Sequence, residues 1–161
     1  MTHKELVFYA SKWLKRKCPV VILGLATTGE TPDAIGWHGK FSILIECKSS
    51  LRDFMSDKKK WFRRREEDGL GQNRYFLTPE KLISIDRLPE GWGLMEVINN
   101  KVTITKESKL FQCNIKQEVG ILLSTLRRIK GVMPEGSSIK CYNHNTQNTS
   151  EISFEIQENN T

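Results

Sequence analysis

Three charged residues in the first third of the chain are spaced for metal-assisted chemistry. Glu46 and Lys48 stand two residues apart in the run Phe41 to Lys48. A strand has a side-chain period of two, so Phe41, Ile43, Ile45 and Cys47 point one way while Ser42, Leu44, Glu46 and Lys48 point the other. Two charges therefore emerge near the carboxyl end of a strand whose opposite face is apolar. Asp33 lies thirteen positions before Glu46, at the start of a second strand-like run, Asp33 to Trp37, joined to the first through His38-Gly39-Lys40. With Gly39-Lys40 as the turn, Asp33 falls directly opposite Glu46, their Cβ atoms about 4.5–5.5 Å apart. With His38-Gly39 as the turn, the two acids are diagonal neighbours. A slip of one residue would separate them, but it would also turn Phe41, Ile43 and Ile45 away from the core.

Like charges facing each other across a sheet repel, and a divalent cation would offset the repulsion. Mg²⁺ accepts carboxylate oxygens and waters and leaves positions for a substrate phosphate. Lys48 is within reach of the same point and could hold the attacking water or stabilise a pentacoordinate phosphorane. For any single acid a plainer reading stays open, in which Asp33 caps its loop and Glu46 pairs with Lys48 or Lys40.

Substrate binding is expected from Lys58, Lys59, Lys60, Arg63, Arg64 and Arg65, six cations in eight positions with no acid among them. They fall on what reads as a helix from Ser50 to Glu67, with Leu51, Phe54, Met55, Trp61 and Phe62 as its apolar positions and Gly69 and Gly71 closing it. Cations spread around a helix must in part face the strand it follows, and phosphate contact is their natural use. A solvated face is the ordinary alternative. Trp61 and Phe62 are read as core residues rather than base-stacking ones, and His3 and His38 as surface histidines.

The elements that must position these groups follow from periodicity. Leu6, Val7, Tyr9, Ala10, Trp13 and Leu14 predict an opening amphipathic helix over residues 3–17, ended by Pro19. Val20 to Leu25 and Asn73 to Leu77 read as strands, and Gly93 to Ile98 with Val102 to Thr105 as a hairpin turning at Asn99-Asn100. Lys116 to Lys130 reads as a last helix. The expected fold is α/β, a mixed sheet of about five strands flanked by helices.

Length and charge agree with this. The 161 residues suit one domain, placed at residues 1–134, followed by a polar tail or added edge strand over 135–161. No apolar run approaches the ~20 residues of a spanning helix, so no membrane role is expected. No export signal is legible, and Cys18, Cys47, Cys113 and Cys141 form no C-x-x-C pair, which points to free thiols in the cytoplasm. The net charge is +6, but residues 135–161 hold four acids against Lys140, so the first 134 residues carry +9. An excess of that sign favours a polyanion, with DNA first.

Pro32-Asp33 and Glu46-X-Lys48, in an order of helix, antiparallel meander, helix and strand across residues 3–105, resemble the PD-(D/E)XK nuclease superfamily, with its restriction-endonuclease-like core. The stretch Glu46 to Phe54, continuing through Asp57-Lys58 to Trp61 and then Arg74 to Pro79, is similar to small bacterial members linked to DNA repair. The resemblance implies that Asp33 and Glu46 ligate Mg²⁺, for which Mn²⁺ would substitute, that the Cys47 carbonyl is a third ligand, and that Lys48 serves the water. Glu5 matches the family's first-helix acid, with a solvated acid paired to Lys4 or Lys12 as its plain alternative. Lys58 or Lys59 would reach the site, as side chains on this helix do in some members. The implied activity is endonucleolytic hydrolysis of DNA. The alternative is a DNA-binding module, or a subunit dependent on a recognition partner or on a second copy.

Overall fold

The computed structural model describes residues 1–25, 30–39, 41–57, 60, 63 and 65–128. Residue contacts divide the chain into two compact units, Met1–Val119 and Gly120–Thr161. The first holds every element discussed below except the end of the last helix.

Helix α1 (His3–Leu14) opens on a capping box, Thr2 accepting from the Glu5 amide while the Glu5 side chain accepts from the Thr2 amide. Strands β1 (Val20–Leu23), β2 (Ala34–His38) and β3 (Phe41–Cys47) form an antiparallel meander. A short helix α2 (Leu51–Asp57) crosses over to β4 (Asn73–Pro79), which pairs parallel with β3. Strand β5 (Gly93–Ile98) pairs parallel with β4 and antiparallel with β6 (Lys101–Lys106). The last helix, α3, covers Ile115–Leu126. The sheet order is β1-β2-β3-β4-β5-β6, so the strand count among the described residues is six, not five. Both β1 and β6 had been legible as runs; the short β1 completes one edge. Asn99 and Asn100 both take positive φ, 48° and 59°, the geometry a two-residue hairpin turn requires.

The two faces of the sheet differ. On one, α1 packs Leu6, Ala10 and Leu14 against Ala34, Ile45, Cys47, Tyr75, Leu77, Met95 and Val97, and this is the apolar core. Alternation then places Leu44 and Glu46 of β3, Arg74 and Phe76 of β4, and Leu94 of β5 on the other face. An aromatic file runs over that second face. Phe54 of α2 meets Phe76 edge-on at 5.0 Å between centroids, Phe76 stacks on Trp92 at 4.4 Å, and Trp92 meets Phe111 at 6.4 Å.

The expected helix over residues 50–67 is shorter than its periodicity implied. Helix α2 ends at Asp57, and the backbone goes on through three-residue turns, Lys60 N donating to Asp57 O and Arg63 N to Lys60 O, to a 3₁₀ turn at Glu66–Asp68. The Asp57 side chain is buried, and its partners are Lys48, Lys60 and Arg63. Lys58, Lys59, Trp61, Phe62 and Arg64 lie outside the described residues, as do Lys40 and everything from residue 129 on, including the tail and its expected edge strand.

Candidate functional site

The β2–β3 register decides which acids meet. Ala34 pairs with Ile45 and His38 with Phe41, the alignment that sets Asp33 against Glu46, and Gly39 takes φ +57° in the turn. Asp33 stands one residue before β2. Its Oδ2 accepts from the Cys47 amide at 2.8 Å, and its Oδ1 lies 3.4 Å from His3 Nε2. The side chain of Asp33 keeps 22% of its surface exposed, whereas Glu46 keeps 3% and Lys48 5%. Cys47 faces the apolar core, as its position in the strand predicts. The three groups gather at the carboxyl end of β3, where the sheet changes from antiparallel to parallel pairing and a crossover leaves the sheet. In open α/β sheets that end of the strands is where ligands bind.

Glu46 is held by cations. Its Oε2 accepts from Lys48 Nζ at 3.1 Å, and Arg63 Nη2 lies 3.6 Å from Oε1. Burial pushes the Glu46 carboxyl up to about 7, against the pull of Arg63 and Lys48 and with the help of the Asp33 and Glu30 charges. Lys48 Nζ also reaches Asp57 Oδ1 at 3.2 Å. Burial alone would make Lys48 less basic, but Glu46 and Asp57 hold its proton above the ordinary range.

Two residues that the motif does not contain complete the cluster. Asp57 receives Arg63 Nε at 2.8 Å on Oδ2 and Lys60 Nζ at 2.7 Å on Oδ1. Burial would raise its carboxyl, but Arg63, Lys48 and Lys60 outweigh burial and hold it well below the usual range. Glu30 is buried, accepts from Arg63 Nη1, and accepts the Leu70 amide at 2.7 Å. Arg63 thus stands among three carboxylates, with its guanidinium 4.6 Å from the Trp92 ring centroid. Asp57 had one legible signal, an acid standing directly before six cations. Glu30 had none.

The remaining expected site residues separate. Glu5 is exposed, its Oε2 accepting from the Thr2 amide at 2.6 Å and from the Thr2 hydroxyl at 3.0 Å. That backbone bond, then the hydroxyl, hold its carboxyl below the usual range. It is the third-position member of the capping box on Thr2, not an acid paired with Lys4 or Lys12, and the first-turn residue that meets Asp33 is His3. Of the cationic run, Arg63 is turned inward, Lys60 is half exposed on Asp57, and Arg65 is exposed with a two-bond pairing to Asp68 at 2.8 Å. None of these three described cations lies within helix α2.

The residues present suit Mg²⁺ in kind. Asp33 and Glu46 are hard oxygen donors on adjacent strands, and Glu46 Oε1 is buried without a hydrogen bond among the described residues, an acceptor that a cation would satisfy. No closed cage of three or more His, Cys, Asp or Glu side chains exists among the described residues. Two carboxylates and a main-chain oxygen fit an ion that keeps much of its water. Arg63 is the group beside Oε1 that would have to yield.

No family model and no curated protein matches the chain. Among solved structures, it is similar to a protein of unknown function from Silicibacter pomeroyi, at a TM-score of 0.62 and 19% identity, over 80% of this chain and 88% of that one. That likeness concerns the fold alone. Among the described residues no helix is long and apolar enough to cross a membrane.

Proposed function

We propose that this chain is a metal-dependent nuclease that hydrolyses DNA phosphodiesters on a restriction-endonuclease-like core, as the PD-(D/E)XK resemblance implies. The observation that carries the reading is the meeting of Asp33, Glu46 and Lys48 at the carboxyl end of β3, with Lys48 Nζ 3.1 Å from Glu46. Asp33 and Glu46, with the Cys47 carbonyl, would hold Mg²⁺, which supplies Lewis-acid polarisation of the scissile phosphate. Lys48 keeps its proton through Glu46 and Asp57, so its ammonium is a fixed positive charge for the developing phosphorane and a donor that orients water. Glu30 and Asp57 hold Arg63, and the burial of Glu46, Lys48 and Asp57 strengthens each of these interactions.

A second reading is favoured by Arg63, which neutralises Glu46 without a metal. A site compensated in that way suits a DNA-binding module with no turnover. Linear, nicked, branched and single-stranded DNAs incubated with Mg²⁺, Mn²⁺ or chelator separate the two. The nuclease reading expects metal-dependent cutting of at least one form, lost in Asp33→Ala and reduced by about 10²–10³-fold in Lys48→Ala. Cutting by Asp33→Ala at the unmodified rate would overturn the site. Salt-sensitive DNA binding with no cleavage under any metal selects the module.

A further inference from the structure

A second group of cations lies on the α1 side of the sheet, away from the carboxylate cluster. No acid occurs between Glu5 and Glu30, a stretch that holds Lys12, Lys15, Arg16 and Lys17. Tyr9, Lys12 and Arg16 follow one another at helical spacing, so they share one side of α1 and of the turn that ends it. The β5–β6 turn meets them there, and Tyr9 ties the two elements together by donating its hydroxyl to Asn100 Oδ1 at 3.2 Å. Between them runs a groove of about 320 Å³, lined by Tyr9, Lys12, Arg16, Asn100, Lys101 and Val102.

Three cations line this groove and no acid does. Lys12, Arg16 and Lys101 are exposed, and among the described residues none of them forms an ion pair. The helix dipole accounts for cations near the end of α1. It does not account for Lys101, which a different element brings beside them against like-charge repulsion. An unneutralised cluster in a concave surface attracts a polyanion. Phe8 adds a second kind of contact, since it is 62% exposed on α1 one turn before Lys12 and edge-on to Tyr9 at 5.8 Å between centroids. A basic groove beside an open aromatic ring suits single strands, whose phosphates meet the cations while a base stacks on the ring. A membrane surface fits less well. An interfacial helix buries its apolar face in lipid, and the apolar face of α1, Leu6, Ala10 and Leu14, is already packed against the sheet.

We propose that this groove docks a single strand of nucleic acid, with Lys12, Arg16 and Lys101 on its phosphates and Phe8 under a base. Strands β3, β4 and β5 run parallel, so the Asn99-Asn100 turn after β5 lies at the same end of the sheet as Glu46 and Lys48, two strand spacings or about 10 Å across. That the docked strand is a substrate for those groups rests on the nuclease reading; that the groove binds it does not.

The test is run on the full chain in chelator. The affinity for a fluorescent single-stranded oligonucleotide is measured by anisotropy over a salt series, with vesicles containing phosphatidylserine as a parallel probe. The groove variant combines Lys12→Gln, Arg16→Gln and Lys101→Gln, Phe8→Ala tests the ring, and a control combines Lys81→Gln, Arg87→Gln and Lys116→Gln, which removes the same charge elsewhere. All seven side chains are exposed, and thermal unfolding checks that each variant folds. The groove variant should bind at least tenfold more weakly and reduce the slope of log affinity against log salt by about 2, since each of three phosphates releases roughly 0.7 of a counterion. Phe8→Ala should weaken binding at least fivefold with little change in slope, and the control should stay near the unmodified chain. The proposal fails if the groove variant binds the oligonucleotide as tightly as the unmodified chain, if the control loses as much, or if Phe8→Ala loses nothing. A groove variant that loses only vesicle binding assigns the surface to a membrane and overturns it as well. If the groove passes and no DNA is cut with Mg²⁺ or Mn²⁺, the nuclease reading fails alone; if DNA is cut and the groove variant cuts it with unchanged KM, the groove fails alone.

Discussion

The two faces of one sheet bury comparable strands against opposite materials. Under α1, Ile45, Leu77 and Met95 meet Leu6, Ala10 and Leu14, and cohesion comes from apolar area without direction. On the other face, Glu46, Lys48, Asp57, Arg63 and Glu30 are packed beside Phe54, Phe76 and Trp92, and each charge depends on a particular neighbour. An apolar contact that loosens loses a little. A buried ion that loses its partner is left uncompensated. The first face specifies the fold, and the second spends stability on holding charges where chemistry could use them.

The sharpest way to break that contrast is to remove the common counter-ion. Arg63→Met leaves Glu30, Glu46 and Asp57 without their shared cation and should cost about 3–5 kcal/mol in denaturant unfolding; a loss under about 1 kcal/mol would show that the cluster is not energetically coupled. A smaller effect is expected from acid. The Asp57 carboxyl is lower in the folded chain than its ordinary 3.8, so its stabilising contribution is complete above about pH 4 and drains away as pH falls toward the folded value. Asp57→Asn should flatten the decline in denaturant midpoint below pH 4; an unchanged slope would assign that decline to other carboxylates. The smallest effect belongs to the apolar face. Ile45→Val trims one methyl and should cost about 0.5–1.5 kcal/mol, with no change in DNA affinity. If Ile45→Val proved as damaging as Arg63→Met, the faces would not differ as claimed.

Much of the site's frame was legible because strand periodicity and burial act together. Phe41 to Cys47 admits one pairing phase in which Ile43 and Ile45 stay inside, so a shared face for Asp33 and Glu46 followed from local pattern, while their direct opposition waited on the register. The 50–67 segment misled for a matching reason. Its composition favours helix, but local preference carries no information about Asp57, whose buried contacts lie in Lys48 and Arg63. Charge counting does not show which cations are paired, and among the described ones Arg63 and Arg65 are held by acids. Glu5 satisfied a family pattern and a capping box at once, and spacing alone could not tell the two uses apart.

The order of strands and helices, the hairpin phase and the presence of two acids and a lysine at one strand end are properties of the amino-acid sequence, because each arises between near neighbours. Only the tertiary structure could decide that Glu30, forty residues from Leu70, would close over Arg63, and that the repulsion between strand carboxylates is met by Lys48 and a turned-in guanidinium. A buried charge is placed by whatever compensates it, and compensation acts across space rather than along the chain.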